Sequence, residues 1–304
     1  MIYLPIAEMP VNVLLVLMVS GGVGFVSGLV GVGGGFIMTP ALMFMGVPAP
    51  VAVATGASQI AATSFSGIMT QTRRKSVDWR MGLLLSIGGA IGSAGGVAIF
   101  GQLLRLGQLD LIVSILYLFL LSSVGFMMVR ESYHFWRGRT SKRVSILRRP
   151  LRTVAHTLPF RLRFPRSGLY ISVIPPLAIG FVIGAISAIM GIGGGFILIP
   201  AMIYLLRMPT NVVIGTSLFQ VMVITSLIVV MQAAATQTVD LVLAMLLMLG
   251  GVVGAQIGAR VGAGMKSEYI RGVLGALLVA ASLKFLFDVV IPPQEQYVLG
   301  GGLW

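Results

Sequence analysis

Runs of about twenty apolar positions, nearly free of charge, recur from one end of the chain to the other. Runs of that length and uniformity predict membrane-spanning helices rather than barrel strands, because lipid offers the backbone no hydrogen bonds. Five apolar segments fall in the first half, at roughly 11–30, 35–46, 51–71, 80–100 and 109–129. Five more follow in the second half, at roughly 171–190, 195–207, 211–233, 239–262 and 269–291. The second member of each set is too short to cross a bilayer as a straight helix. The fold class that follows is all-α: a polytopic helical bundle in which each half carries one broken or re-entrant short helix.

The two halves resemble each other residue by residue. Gly31-Val32-Gly33-Gly34-Gly35-Phe36-Ile37-Met38-Thr39-Pro40-Ala41 returns as Gly191-Ile192-Gly193-Gly194-Gly195-Phe196-Ile197-Leu198-Ile199-Pro200-Ala201. Gly24 and Ser27 pair with Gly184 and Ser187, then Thr55 and Gln59 with Thr216 and Gln220. Val77-Asp78 pairs with Val239-Asp240, and the glycines at 88, 89, 92 and 96 pair with those at 250, 251, 254 and 258. The organisation expected is a first transmembrane repeat at 1–130, a basic linker at 131–168 and a second repeat at 169–304.

Loop charge orients the halves. Arg73, Arg74, Lys75 and Arg80 crowd one turn of the first half, while the matching turn near 233–239 has no Lys or Arg. The next loop reverses the bias: Arg105 alone in the first half, against Arg260, Lys266 and Arg271 in the second. The positive-inside rule then puts 72–80, 130–170 and 262–271 in the cytoplasm. Equivalent loops lie on opposite sides, so the halves are expected to be inverted repeats with both termini extracytoplasmic. The first apolar run has no basic n-region and no clear small-residue cleavage pattern, and is expected to remain as a helix.

Composition narrows the chemistry. The chain is 57% hydrophobic and 10% charged, and it has no cysteine, which excludes disulfides, thiol catalysis and Cys-based metal sites. Its net charge of +13 collects in loops beside the spans, where it orients the chain rather than binding nucleic acid. His134 and His156 both fall in the basic middle segment, and no carboxylate or metal-ligand constellation lies in a span. An enzyme therefore has little to work with, and no cofactor is expected.

Paired glycine-interrupted segments at matching places in two halves point to a transporter's binding site. Each glycine run precedes a helix start, where unpartnered N–H groups and a partial positive charge bind anions without a cationic side chain. The expected site is a midplane pocket for a small anion, with amides of Gly33, Gly34, Gly35 and Phe36 and of Gly193, Gly194, Gly195 and Phe196 as donors. Thr55, Ser58 and Gln59, with Thr216, Ser217 and Gln220, lie one turn apart on the next segment of each half and are further candidates. Gln59 and Gln220 either donate to a substrate oxyanion or join two helices. Ser27 and Ser187 either line the cavity or bond back to their own helices. Asp78 and Asp240 read best as helix N-caps, and Lys284 with Asp288 reads as an intrahelical pair or as part of a proton path. The remaining glycines suit close helix packing.

The doubled Gly-x-Gly-Gly-Gly-Phe-x-x-x-Pro motif, the two-repeat layout and the basic middle loop resemble the TauE/SafE family of sulfite, sulfoacetate and related organosulfonate exporters. The resemblance spans nearly the whole chain outside 131–168. It implies a bacterial inner-membrane transporter of a small sulfur-containing anion, coupled to the proton gradient, with Gly31 to Phe36 and Gly191 to Phe196 at the site. An anion channel, or a permease for another small anion, is the competing reading.

Overall fold

The structure, a computed structural model, describes residues 2–31, 35–136, 161–164, 166–262 and 267–290. A short hairpin of β1 (Ile2–Leu4) and β2 (Met9–Val11) leads into α1 (Val13–Val30), α2 (Gly35–Phe44), α3 (Ala49–Arg73), α4 (Trp79–Arg105) and α5 (Leu109–Trp136). A second hairpin of β3 (Arg161–Phe164) and β4 (Leu169–Ser172) leads into α6 (Ile174–Met190), α7 (Gly195–Tyr204), α8 (Thr210–Ala235), α9 (Leu241–Gly262) and α10 (Ser267–Val290). These ten helices of the described residues match the ten apolar segments, most to within a few residues. α5 continues to Trp136, into the start of the basic stretch; most of the linker, 137–160, lies outside the described residues.

Among the described residues four helices are long and apolar enough to cross a membrane: Trp79–Arg105, Leu109–Arg130, Val212–Ala235 and Leu241–Gly262. α2 and α7 have ten residues each. At about 1.5 Å per residue each spans roughly 15 Å, half of a hydrocarbon core of about 30 Å.

The halves interlock rather than sit side by side. α1 packs along α9, α4 along α6, α3 along α8 and α5 along α10. The first two seams are built on glycine. A β-carbon at Gly24 would collide with the backbone of Gly251, and one at Gly28 with the carbonyl of Ala255. Across the other seam, Gly184 meets the carbonyl of Gly89, and Gly92 that of Phe181. Backbones that touch this closely gain van der Waals contact that lipid cannot displace, which is how helices associate when no hydrophobic drive exists between them. The sequence stripe of small residues is thereby accounted for.

The two hairpins, which hydropathy does not reveal, fasten the ends of these seams. Asp78 caps α4 by accepting from the Met81 amide at 3.2 Å, and it also accepts from the backbone N–H (3.1 Å) and hydroxyl (2.5 Å) of Ser167 in the β3–β4 turn. Asp240 repeats the arrangement: it accepts from the Leu243 amide at 3.0 Å and from Ile6 in the β1–β2 turn at 3.1 Å. Both carboxyl groups are buried. Each hairpin therefore binds the capping aspartate of the other half, and Arg166 adds a bond to the Val77 carbonyl at 2.7 Å.

Candidate functional site

The helices that lead into the two glycine breaks end the same way. α1 stops at Gly31 (φ 73°), whose amide donates to the Ser27 carbonyl at 2.8 Å, and α6 stops at Gly191 (φ 69°), whose amide donates to the Ser187 carbonyl at 2.8 Å. In the second break Gly193 and Gly194 follow at φ 72° and 71°, a left-handed conformation that only glycine adopts without strain. This reverses the chain so that α7 can start at Gly195. In the first break Val32, Gly33 and Gly34 lie outside the described residues, and α2 starts at Gly35. The first amides of each short helix precede any acceptor within that helix.

Pro40 and Pro200 each stand sixth in their helices, past the first turn. A proline there cannot donate to the carbonyl four residues earlier. The carbonyls of Phe36 and Phe196 thus lose their intrahelical partner, so the backbone beside both breaks is polar on the donor side and on the acceptor side.

The two starts come together. The rings of Phe36 and Phe196 lie 4.7 Å apart between centroids, tilted by 36°. A β-carbon at Gly35 would stand 2.5 Å from the carbonyl oxygen of Ile192, in the other break. Ile60 of α3 fills the space between them: its Cδ1 lies against Gly35 and its Cγ2 would be 2.7 Å from a β-carbon at Gly193. Ile183 closes over Gly194. Residues 191–195 are all buried. The junction is therefore closed by side chains, with Ile60 as its plug.

The polar candidates on α3 and α8 take different partners. Thr55 accepts from the amide of Asp240 at 3.1 Å, and Thr216 accepts from that of Asp78 at 3.0 Å, so each steadies the cap of a helix in the other half. Ser58 and Ser217 donate to carbonyls one turn back, Thr55 and Ile214, at 2.6 and 3.0 Å. Gln59 donates to the Ser20 carbonyl at 3.1 Å and packs on Gly251. Its counterpart Gln220 packs on Gly89, is fully buried, and has no hydrogen-bond partner at either amide atom. The hydroxyl of Ser187 is likewise buried and unpartnered. Both groups border the second break. Val221, next to Gln220, would touch a β-carbon at Gly193 at 3.2 Å, and Ile183, one turn before Ser187, covers Gly194. Buried polar atoms without partners cost about 1–3 kcal/mol each, and in a folded protein they call for an explanation such as a ligand.

One contributor was missed in the sequence. Tyr117, deep in α5, donates to the carbonyl of Met190 at 2.6 Å, the last residue before the second break, and its ring stacks on Phe285 at 5.8 Å. A tyrosine inside an apolar span needs a partner for its hydroxyl, and that was the available signal.

The described residues form ten helices, two of them half-length and meeting at the glycine breaks, an arrangement that fits a membrane transporter. Comparison with known proteins makes the class specific. The chain belongs to the family described as "Sulfite exporter TauE/SafE", which it matches over residues 16–285. A probable membrane transporter protein of Xylella fastidiosa (strain 9a5c) is 29% identical over 284 residues, covering 90% of this chain and 95% of the relative. The probable membrane transporter protein YunE of Bacillus subtilis (strain 168) is 25% identical over 273 residues, covering 87% and 94% respectively. No solved structure matches the chain.

Proposed function

We propose that this protein is a secondary transporter that exports a small sulfur-containing anion, sulfite or a small sulfonate, across the bacterial inner membrane by alternating access. In this reading the halves are inverted repeats, the loops at 72–80, 130–170 and 262–271 face the cytoplasm, and export draws on the proton gradient. The anion sits between the two short-helix starts. The amides of residues 33–36 and 193–196 and the carboxamide of Gln220 replace its water. The observation that carries the reading is the meeting of Gly35 and Phe36 with Ile192, Gly193 and Phe196 across Ile60. The reciprocal pairing of helices between the halves fits rocking of one repeat against the other. A junction plugged by Ile60 and two phenyl rings favours a gated carrier over an open pore.

Proteoliposomes test it. Wild-type protein is expected to accumulate labelled sulfite or sulfoacetate against its gradient when a pH gradient is imposed, and a protonophore stops this. Downhill flux alone, unaffected by the pH gradient, would contradict proton-driven export. The glutamines give an internal comparison. Gln59→Leu loses a bond worth about 1 kcal/mol together with one orphaned oxygen, so stability should change little, with a small effect on export. Gln220→Leu removes two orphaned polar atoms, so stability should hold or rise while the KM for the anion climbs roughly tenfold or more. Equal effects of the two substitutions on KM would contradict the role given to Gln220.

A further inference from the structure

A crevice of about 290 Å³ opens between α2, α5 and α10, away from the glycine junction but sharing one residue with it. Phe36 forms its floor, and Pro40, Ala41, Leu121, Leu278 and Ala281 line its walls. All of its lining residues are apolar except Lys284. The ammonium nitrogen of Lys284 lies 4.1 Å from the centroid of the Phe44 ring, a cation–π contact. Among the described residues no carboxylate pairs with it; Asp288, one turn on, has a side chain outside the described set. The intrahelical pair expected from the sequence therefore has only its lysine in view.

Position decides what the lysine can reach. It stands six residues before the end of α10, about 9 Å along the axis. Its four-carbon stem can lift the charge to the membrane interface at which α10 ends. Phe44 closes α2, and α3 begins at the same level, where the Ala49 amide donates to Asp110 at the start of α5. Lys284 is exposed at this end of α10, and the apolar crevice runs from it toward Phe36.

We propose that this crevice binds one anionic phospholipid from the leaflet in which α10 ends, its phosphate on Lys284 and one acyl chain reaching Phe36. Charge complementarity selects the anionic head, since the crevice lining holds, among the described residues, one cation and no carboxylate, which offers a neutral zwitterion little beyond the chain contact. A small hydrated sulfonate fits poorly, because it would trade its water for hydrocarbon walls and one ammonium. The consequence reaches the transport site. Phe36 belongs to the first turn of α2 and touches Phe196, so a chain that fills or leaves the crevice bears on the first break. Lipid composition then tunes the transport cycle.

The test uses the full chain in mixed bilayer nanodiscs of phosphatidylglycerol and phosphatidylcholine, with retained lipid read by native mass spectrometry. Wild-type protein is expected to hold one phosphatidylglycerol per chain with about fivefold preference, the worth of one lysine near an anionic surface. Lys284→Gln should bring the ratio close to one while lipid is still held. Ala281→Phe should fill the crevice and lose the retained lipid. A phosphatidylglycerol carrying a photoreactive group on its acyl chain should label Leu121 or Leu278 in the wild type, which keeps the test valid if Ala281→Phe folds poorly. Equal lipid ratios in wild type and Lys284→Gln, or labelling elsewhere, would overturn the proposal. So would displacement of the lipid by millimolar sulfite or methanesulfonate, which would make the crevice an anion site. None of these readouts depends on transport, so the lipid site and the anion site can fail separately.

Discussion

Replacing Gly193 by leucine is expected to cut anion export about a hundredfold or more while leaving protein that inserts and purifies as a single species. The residue holds φ 72°, which costs an L-residue roughly 1–2 kcal/mol. Its β-carbon would stand 2.7 Å from Ile60, 3.1 Å from Thr225 and 3.2 Å from Val221, and overpacking of this kind adds roughly 1–3 kcal/mol. The sum is tolerable for a protein of this size, because the contacts are side chains that can give way. It is not tolerable for the site, since they yield by moving Ile60 and the break itself. A displacement of about 1 Å in a binding constellation suffices for a hundredfold loss. Gly35→Leu should also cut export, from the other half, but at a larger cost in stability, because its β-carbon meets Ile60 and, at 2.5 Å, the backbone carbonyl of Ile192. Gly193→Ala, the smaller change, should reduce export less and in the same direction. Initial export rates in proteoliposomes, with chromatographic profiles of each variant, provide the check. Wild-type rates in well-folded Gly193→Leu would refute the site.

The second large effect concerns folding rather than transport. Gly92→Leu and Gly254→Leu should each lower stability by about 3 kcal/mol or more and sharply reduce the yield of folded protein. A β-carbon at Gly92 would overlap the Phe181 carbonyl, and one at Gly254 that of Gly21. The obstacle is backbone in both cases, so the only relief is to separate α4 from α6, or α1 from α9. Small-to-large changes in a tight core already cost about 1–3 kcal/mol where side chains can adjust. Gly95 and Gly22 are the controls. Gly95 shares α4 with Gly92, and Gly22 lies on α1, the helix that Gly254 packs against; neither has anything within 4 Å of its β-carbon, and leucine there should shift stability by about 0.5 kcal/mol or less. Thermal unfolding in detergent of the four variants decides it, and equal behaviour at Gly92 and Gly95 would dismiss the seams.

Hydropathy and the doubled glycine motif were enough to place the ten helices of the described residues, to read the half-length of α2 and α7, and to match residues between the halves. These features depend on local length and composition, which a single sequence carries. The strands of three or four residues at 2–11 and 161–172 were not legible, because nothing in such short, proline-marked stretches sets them apart from loop. Their purpose, binding Asp78 and Asp240 of the opposite half, exists only after folding. The difference between Gln59 and Gln220 was hidden for a related reason. The two occupy equivalent places in the repeat, and only the third dimension gives Gln59 the Ser20 carbonyl and leaves Gln220 without an acceptor or donor. Tyr117 and Lys284 meet helices far from them in the sequence, so spacing gave no hint of the Met190 carbonyl or the α2–α5–α10 crevice.

The central claim is that both glycine breaks hold one anion between them. Selenite has the shape and charge of sulfite and a heavy atom that scatters anomalously, so a crystal of the protein grown or soaked with it reports the position directly. The account predicts one anomalous peak within hydrogen-bonding distance of the backbone amides of 33–36 and 193–196, close to the carboxamide of Gln220, and its loss in Gly193→Leu. A peak bound elsewhere, or one that persists unchanged in Gly193→Leu, would contradict it.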